Sequence, residues 1–321
     1  MTDPVTPRRR IIILGINGHV GHHAAVAFHK AGWEVTGFGR TNRHPIPGVH
    51  FIAGDADDVK AMRAAIGDID VVFNGLNLPY AAWDKGRMEA QNERVIAAMG
   101  RSGKTLLFPG NVYNYAASDR LMTPDLPQHP QTPRGEIRKR VEAMYAATAQ
   151  RGDMQVLVLR AGDFFGPDST GDWFDLIMLR EANKRKLALL GAPGVSHQWA
   201  YLPDLARAFV SLTESRAELG RYETFHFGGH FVTPEVMGEA IVAASPVPLK
   251  TSFFPRVLIT LMGLVDPTMR EVAKMGYLWD HPMELRDPRL DALLGLDFAT
   301  PLPEAVRATA MPFFAEQQLA A

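Results

Sequence analysis

Short apolar runs alternate with amphipathic stretches through the first half of the chain. The first run, from Ile11 to Leu14, is continuous and rich in β-branched residues, which is typical of a strand buried on both faces of a parallel sheet. Apolar residues then recur at helical spacing until Gly32, which predicts a helix that ends there. Further strands are predicted at 35–38, 49–53, 71–73, 105–108 and 155–159.

Helices are predicted between these strands. A short one follows a cap at Asp57, a longer one spans 83–102 and ends near Gly103, and a charged one spans 133–149. Strands that alternate with helices in this way are typical of an α/β fold with a doubly wound, parallel, Rossmann-type sheet.

The alternation loosens after Gly162. Strand-like pieces at 198–201 and 222–227 mix with helical stretches, and the segment 255–267 is apolar nearly all round, which predicts a buried helix. We interpret residues 1–163 as a dinucleotide-binding domain to which 196–215 returns. Residues 164–321 then form a smaller, mixed α/β substrate lobe.

Composition excludes several classes of protein. The formal net charge of the 321 residues is −1, with no basic stripe, so nucleic acid is not expected as a partner. The absence of cysteine excludes disulfides, thiolate metal sites and a cysteine nucleophile. The longest apolar stretch, 257–265, is about half the length of a membrane span. We therefore expect a cytoplasmic protein without a membrane partner.

A glycine-rich turn links the first predicted strand to the first helix. Its spacing is G-x-x-G-x-x-G rather than the commoner G-x-G-x-x-G. Glycines in this position let backbone N–H groups approach a pyrophosphate at the helix N-terminus. The turn predicts a dinucleotide site formed by Gly15, Asn17, Gly18, His19, Val20 and Gly21.

The end of the second predicted strand bears on the choice of cofactor. Sites for NAD usually carry an acidic residue there, whereas an arginine accommodates the 2′-phosphate of NADP. Here the segment holds Arg40 and Arg43 and no acid. We therefore expect NADP(H) to be favoured, with NAD as the other option. The alternative is that both arginines are solvated loop charges.

Several segments resemble the extended and atypical short-chain dehydrogenase/reductase superfamily, in its NAD(P)-dependent epimerase/dehydratase branch. They are the glycine turn, Gly54-Asp55, Asn74-Gly75-Leu76-Asn77, Phe164-Phe165-Gly166-Pro167 and the stretch 197–206. The resemblance implies that Asp55 accepts a hydrogen bond from the adenine amino group. It also implies that Asn74 and Leu76 line the adenosine ribose and that Asp163 lies near the nicotinamide.

The resemblance breaks down at the residues that perform the chemistry of the superfamily, a Ser or Thr, a Tyr and a Lys. Matching the segments places Pro109 at the serine, Arg134 at the tyrosine and Arg138 at the lysine. Arginine stays protonated in proteins, so Arg134 cannot shuttle a proton. Arg138 can still donate to the nicotinamide ribose.

Candidate catalytic residues lie on the loop after the fifth predicted strand. We predict Tyr113 as a proton donor and Asn111 as an amide that orients the substrate. For Tyr113 the alternative is packing beneath the loop, and Lys139 and Asp163 are the next candidate acids. His19, His22 and His23 crowd the glycine turn without a nearby acid, so no metal site is expected.

Two functions remain open. The favoured one is an NADP(H)-dependent oxidoreductase, or an epimerase/dehydratase-like enzyme, with a non-standard acid. Aromatic residues concentrate in the second half of the chain, so we expect a small hydrophobic or aromatic carbonyl or alcohol as substrate. The alternative is a non-catalytic NADP(H)-sensing protein of the same superfamily. A homodimer is a further option.

Overall fold

A computed structural model describes residues 9–168 and 171–318. Its strands are β1 (Arg10–Leu14), β2 (Glu34–Gly39), β3 (His50–Ala53), β4 (Val71–Asn74), β5 (Thr105–Asn111), β6 (Leu121–Met122), β7 (Gln155–Ala161), β8 (Asp163–Phe165), β9 (Lys186–Leu189), β10 (His197–Tyr201), β11 (Tyr222–His226), β12 (His230–Val232), β13 (Lys250–Phe253) and β14 (Glu284–Leu285). Its helices are α1 (His19–Lys30), α2 (Val59–Ile66), α3 (Arg87–Met99), α4 (Pro133–Gln150), α5 (Leu202–Glu214), α6 (Pro234–Ala244), α7 (Val257–Met262), α8 (Pro267–Lys274), α9 (Tyr277–Asp280), α10 (Pro288–Leu294) and α11 (Leu302–Gln318).

Seven parallel strands form the main sheet, in the order β11-β7-β5-β4-β1-β2-β3. Residues 11–14 of β1 are completely buried because helices cover both faces of the sheet. The chain order reverses between β1 and β4, and open sheets of this kind bind ligands at that point, outside the carboxyl ends of the strands. The predicted doubly wound, Rossmann-type sheet is confirmed.

The two faces of the sheet carry separate hydrophobic cores. On one face, α1 and α5 pack together, and Phe73 meets Phe209 edge-on at 5.0 Å. On the other face, α2, α3 and α4 cover a core that contains Phe108 and Tyr145. The segment 202–214 thus lies against the dinucleotide-binding half. β11, which the sequence pattern assigned to the lobe, pairs with β7 at the edge of the main sheet.

Three smaller sheets, β12-β10-β8, β13-β9 and β14-β6, build the rest of the chain together with the later helices. β8 pairs in parallel with β10, directly after β7 leaves the main sheet. A third hydrophobic core, which includes Phe165, Trp199 and Trp279, fills this region.

Three sequence predictions need correction. The side chain of Asp58, not Asp57, caps α2, because its Oδ1 accepts from the backbone N–H of Lys60 and Ala61 at 2.9 and 3.0 Å. α3 is shorter at both ends than the predicted 83–102, because left-handed Gly86 precedes it and Gly100, at φ +63°, ends it.

The third correction concerns α7. The segment was predicted to be buried, but Val257 and Leu261 are exposed, and Ile259 is the buried side chain of this helix. The helix has 6 residues and packs against α8 with one face, so its apolar pattern did not require burial all round. Within the described ranges, no helix is both long enough and apolar enough to cross a membrane.

Candidate functional site

The three glycines of the turn differ in whether the surrounding protein has space for a side chain. Space is lacking at Gly15 and Gly21 but is present at Gly18. Gly15 has φ +79°, and a Cβ there would lie 2.8 Å from the carbonyl carbon of Gly75. A Cβ at Gly21 would overlap the carbonyl oxygen of Gly15. At Gly18 the backbone is extended, and a Cβ would meet Gly15 O at an ordinary 3.4 Å. A ligand that approaches the backbone at Gly18 explains the glycine there.

The N-terminus of α1 is open to such a ligand. Gly18 is its N-cap residue and supplies no side-chain cap for the first-turn N–H groups. Uncapped N–H groups at a helix N-terminus favour an anion. The turn therefore fits the pyrophosphate of a dinucleotide.

Asn17 connects this turn to the loop that follows β2. Its Nδ2 donates to the carbonyl oxygen of Thr41 at 2.6 Å, and its Oδ1 accepts from the N–H of Arg43 at 2.9 Å. Arg40 and Arg43 are exposed, and neither forms an ion pair with the residues described here. The Asn17 side chain thus orients the arginine loop, a role that the sequence did not reveal.

The remaining residues predicted at the cofactor differ in what their side chains do. Asp55 is exposed, and its Oδ1 accepts from the N–H of Asp57 at 3.0 Å. Asn74 is buried, and its amide is engaged by Asn92, by Tyr145 and by the N–H of Leu76. The buried side chain of Asn74 therefore holds the end of β4 through these hydrogen bonds.

Two histidines near the glycine turn form hydrogen bonds with residues that follow β8. His19 Nδ1 lies 2.8 Å from Asp172 Oδ1, and His23 Nε2 lies 2.9 Å from the carbonyl oxygen of Pro167. Burial lowers the pKa of His23 to about 4, so the ring is neutral at neutral pH. Across residues 9–168 and 171–318, no group of three or more metal-ligating side chains is placed to hold a metal ion.

A cavity of about 310 Å³ opens at the carboxyl ends of β4, β5 and β7. Seven of the predicted site residues line its wall: Val20, Asn74, Leu76, Asn111, Tyr113, Arg138 and Asp163. Its aromatic wall includes Trp83, Phe108 and Trp173. The structure therefore brings the predicted catalytic loop and Arg138 together in one cavity.

The two arginines at the superfamily's Tyr and Lys positions have different surroundings. Arg134 is 1% exposed and binds both carboxylate oxygens of Asp84, at 2.9 and 3.3 Å, with Glu271 of α8 at 3.5 Å. Arg138 lies 4.7 Å from the ring centre of Trp83 and 5.5 Å from that of Phe108.

Arg138 is 8% exposed, and its Nε has no hydrogen-bond partner among the described residues. Burial lowers its pKa. A buried guanidinium with an unused N–H group can donate to a ligand in the cavity. Arg138 therefore fits a cofactor ribose, whereas Arg134 is committed to its two carboxylates.

Tyr113 meets a second tyrosine that the sequence did not single out. The rings of Tyr80 and Tyr113 meet edge-on, with their centres 6.1 Å apart. Burial, assisted by the charge of Asp163, raises the pKa of Tyr113 to about 12, against the opposing effects of Tyr80 and Arg138. Asn111 Oδ1 accepts from the N–H of Tyr113 at 3.1 Å and so orients the loop. Tyr113 is therefore protonated at neutral pH and can donate a proton.

Asp163 also has partners that sequence reasoning missed. Its Oδ2 lies 2.9 Å from His197 Nε2 and accepts a hydrogen bond from Trp279 Nε1 at 3.1 Å. His197 belongs to the stretch that resembled the superfamily, but its pairing with Asp163 joins segments far apart in the chain.

Comparison with known proteins identifies relatives. The model of the NAD dependent epimerase/dehydratase family matches residues 11–228. The chain is 25% identical over 185 residues to UDP-arabinose 4-epimerase 1 of Arabidopsis thaliana, covering 50% of this chain and 44% of the relative. The probable UDP-arabinose 4-epimerase 3 of the same plant is 24% identical over 185 residues, covering 50% and 45%. The chain thus matches less than half the length of these relatives.

Solved structures share the fold over nearly the whole chain. UDP-glucose-4-epimerase from Stenotrophomonas maltophila, with bound NAD and formylated UDP-arabinopyranose, has a TM-score of 0.76 at 18% identity, covering 98% of this chain and 100% of that one. UDP-glucose 4-epimerase from Brucella ovis, in complex with NAD, has a TM-score of 0.75 at 17% identity, covering 95% and 98%. The resemblance seen in the sequence is confirmed.

Proposed function

The chain belongs to the NAD dependent epimerase/dehydratase family, and we propose that it is an NADP(H)-favouring oxidoreductase or epimerase/dehydratase-like enzyme in which Tyr113 donates the proton. The observation that carries this proposal is that Tyr113 lines the cavity beyond β5 together with Tyr80 and Arg138. Arg134, in contrast, is held by Asp84 and Glu271.

Residues of this chain are suited to hold the cofactor along its length. The turn at Gly18 would take the pyrophosphate, Asp55 the adenine amino group, and Arg138 the nicotinamide ribose. Arg40 and Arg43 are exposed beside the turn, where a 2′-phosphate would lie, and this supports a preference for NADP(H). Bound in this way, the cofactor supplies or takes up a hydride.

The side chains of the cavity complete the reaction by moving one proton. A substrate carbonyl oxygen near Tyr113 receives the phenol proton as it becomes a hydroxyl group. The O–H of Tyr80 donates to the phenolate oxygen that remains, and the charge of Arg138 stabilises it further. In the reverse direction the phenolate takes the proton back. The aromatic wall formed by Trp83, Phe108 and Trp173 favours a small hydrophobic or aromatic substrate.

A screen of aromatic aldehydes and ketones for NADPH oxidation tests this proposal. Turnover by the wild-type protein that is lost in Tyr113→Phe supports it. Turnover that survives in Tyr113→Phe overturns the assignment of the proton donor.

A non-catalytic NADP(H) sensor is the second candidate. It is favoured by Pro109, which offers no hydroxyl, and by Arg134, whose ion pairs join the loop at Asp84 to α8. Tight NADPH binding without turnover of any carbonyl compound supports the sensor instead. A homodimer remains a prediction, which sedimentation velocity would check.

A further inference from the structure

Asp163 is placed at the cavity wall by a close approach of two backbone segments. Gly162 passes so near the carbonyl oxygen of Gln198 that any side chain at 162 would overlap it. β8 therefore begins at Asp163, in register with Trp199 of β10. The carboxylate is 14% exposed and faces the cavity.

The orientation of this carboxylate leaves one oxygen for a ligand. Nδ1 of His197 lies 3.0 Å from the carbonyl oxygen of Leu278, which can only accept, so Nδ1 carries a proton. His197 Nε2 lies 2.9 Å from Asp163 Oδ2. Trp279 donates to Oδ2. Oδ1 has no partner among the described residues and acts as a hydrogen-bond acceptor toward the cavity.

Cations are scarce on this side of the cavity. Among the residues described along its wall, Arg138 is the single lysine or arginine, and it lies against Trp83 and Phe108. Trp279 separates Asp163 from a neighbouring cavity of about 240 Å³, where Arg256 is already paired with Asp280. A diphosphate presents acceptor oxygens and negative charge, so beside Asp163 Oδ1 it would meet another acceptor oxygen.

Building on the proposed function, we propose that Asp163 determines substrate specificity by accepting a hydrogen bond from a hydroxyl group of a small carbonyl substrate that carries no phosphate. His197 and Trp279 are positioning residues that hold Oδ2 and direct Oδ1 into the cavity. On this assignment the chain does not use nucleoside diphosphate sugars, which distinguishes it from the relatives named above.

A binding measurement tests the exclusion without depending on turnover or on Tyr113. UDP-glucose is titrated calorimetrically into the wild-type protein saturated with NADPH. We expect no saturable binding. Micromolar binding of UDP-glucose would overturn the proposal.

A kinetic measurement tests the acceptor role. Glyceraldehyde and glyceraldehyde 3-phosphate present the same carbonyl group and differ in a hydroxyl or a phosphate. We expect the wild type to favour glyceraldehyde. In Asp163→Asn, kcat/KM for glyceraldehyde should fall by about 10- to 100-fold, the effect of losing a hydrogen bond to a charged group. The ratio of kcat/KM for glyceraldehyde to that for glyceraldehyde 3-phosphate should also fall, because the amide of asparagine can donate a hydrogen bond to the phosphate.

Asp153→Asn is the matched control. Asp153 is a comparably buried acid that pairs with Arg101 and Arg151 away from the cavity, so its replacement should leave the ratio of the two substrates unchanged. An unchanged ratio in Asp163→Asn would contradict the proposal. If NADPH binds and aromatic carbonyl compounds are reduced but neither aldehyde is turned over, the acceptor role of Asp163 fails while the proposed function stands. If no carbonyl compound is turned over at all, the proposed function fails, and the UDP-glucose titration still decides the exclusion.

Discussion

Substituting single glycines of the turn by alanine should separate an effect on cofactor binding from an effect on folding stability. In Gly18→Ala, the added Cβ meets Gly15 O at 3.4 Å, and the backbone is already extended, so the protein accommodates it. The remaining cost is that of a poorer N-cap, about 1 kcal/mol. For a domain of this size we expect a fall in Tm of about 2–4 °C.

The same methyl group should greatly weaken NADPH binding. A phosphate oxygen approaches a backbone N–H to about 2.7–2.9 Å, whereas a methyl carbon keeps neighbours at about 3.5–4.0 Å. Displacing the pyrophosphate costs at least one charge-assisted hydrogen bond of about 1.5–3 kcal/mol, so affinity should fall by about 10- to 100-fold.

Gly15→Ala is the matched control, in which the loss of folding stability should be the dominant effect. Its backbone has φ +79°, and its Cβ would lie 2.8 Å from the backbone of Gly75. The left-handed conformation costs about 1–2 kcal/mol and the overlap about 1–3 kcal/mol, so this variant should lose several times more stability than Gly18→Ala. Calorimetric titration with NADPH and thermal denaturation followed by circular dichroism measure the two effects. Unchanged NADPH affinity in a folded Gly18→Ala protein would refute the placement of the pyrophosphate.

Three further predictions concern the cavity, the cofactor and the buried interior. Tyr113→Phe should lower kcat for carbonyl reduction by about 10²- to 10⁴-fold, the contribution of a positioned acid. Arg134→Met should lower Tm without a comparable fall in kcat. Equal losses of kcat in the two variants would contradict this prediction. Arg40→Ala should weaken NADPH binding by about 10-fold, the low end for an exposed charge, and leave NADH binding unchanged; paired titrations check this, and equal loss for both cofactors would rule it out. Burial, and then the charge of Arg160, lowers the pKa of His226 from 6.5 to about 3, so below pH 6.5 the unfolded chain takes up a proton that the folded chain does not. Stability should therefore fall by about 2 kcal/mol from pH 7 to pH 5; urea denaturation should show a smaller fall in His226→Gln, and an identical fall would contradict the assignment.

The sequence predicted the main sheet well because its signals are local. A continuous apolar run such as Ile11 to Leu14 has few other places to lie than inside a sheet, and the turn after it is marked by its glycines. Where the predictions failed, the deciding interaction was not local. The exposure of α7 depends on which neighbours cover it, and its apolar composition carries no information about them.

The candidate site was predictable in part for the same reason. Tyr113 and Arg138 were predicted by matching single segments to the superfamily, and both line the cavity. Tyr80 and His197 act through contacts with residues 33 or 34 positions away, and no spacing rule reports such a contact. Asn17 was predicted from the glycine turn as part of the dinucleotide site, but the sequence did not reveal that its side chain holds the loop after β2.

The surroundings of Arg134 explain why the proton donor would have moved to another element. Arg134 neutralises Asp84 and Glu271, which come from separate parts of the chain, and it is itself almost completely buried. A tyrosine at this position would leave Asp84 without the cation that binds both of its oxygens, while Glu271 would keep only Lys274 among the described residues, at 2.6 Å. Restoring the superfamily's residue by a single substitution would thus remove the ion pairs that link the loop at Asp84 to α8. Tyr113 faces no such constraint, because it forms no ion pair with the described residues and lines the cavity together with Tyr80 and Arg138.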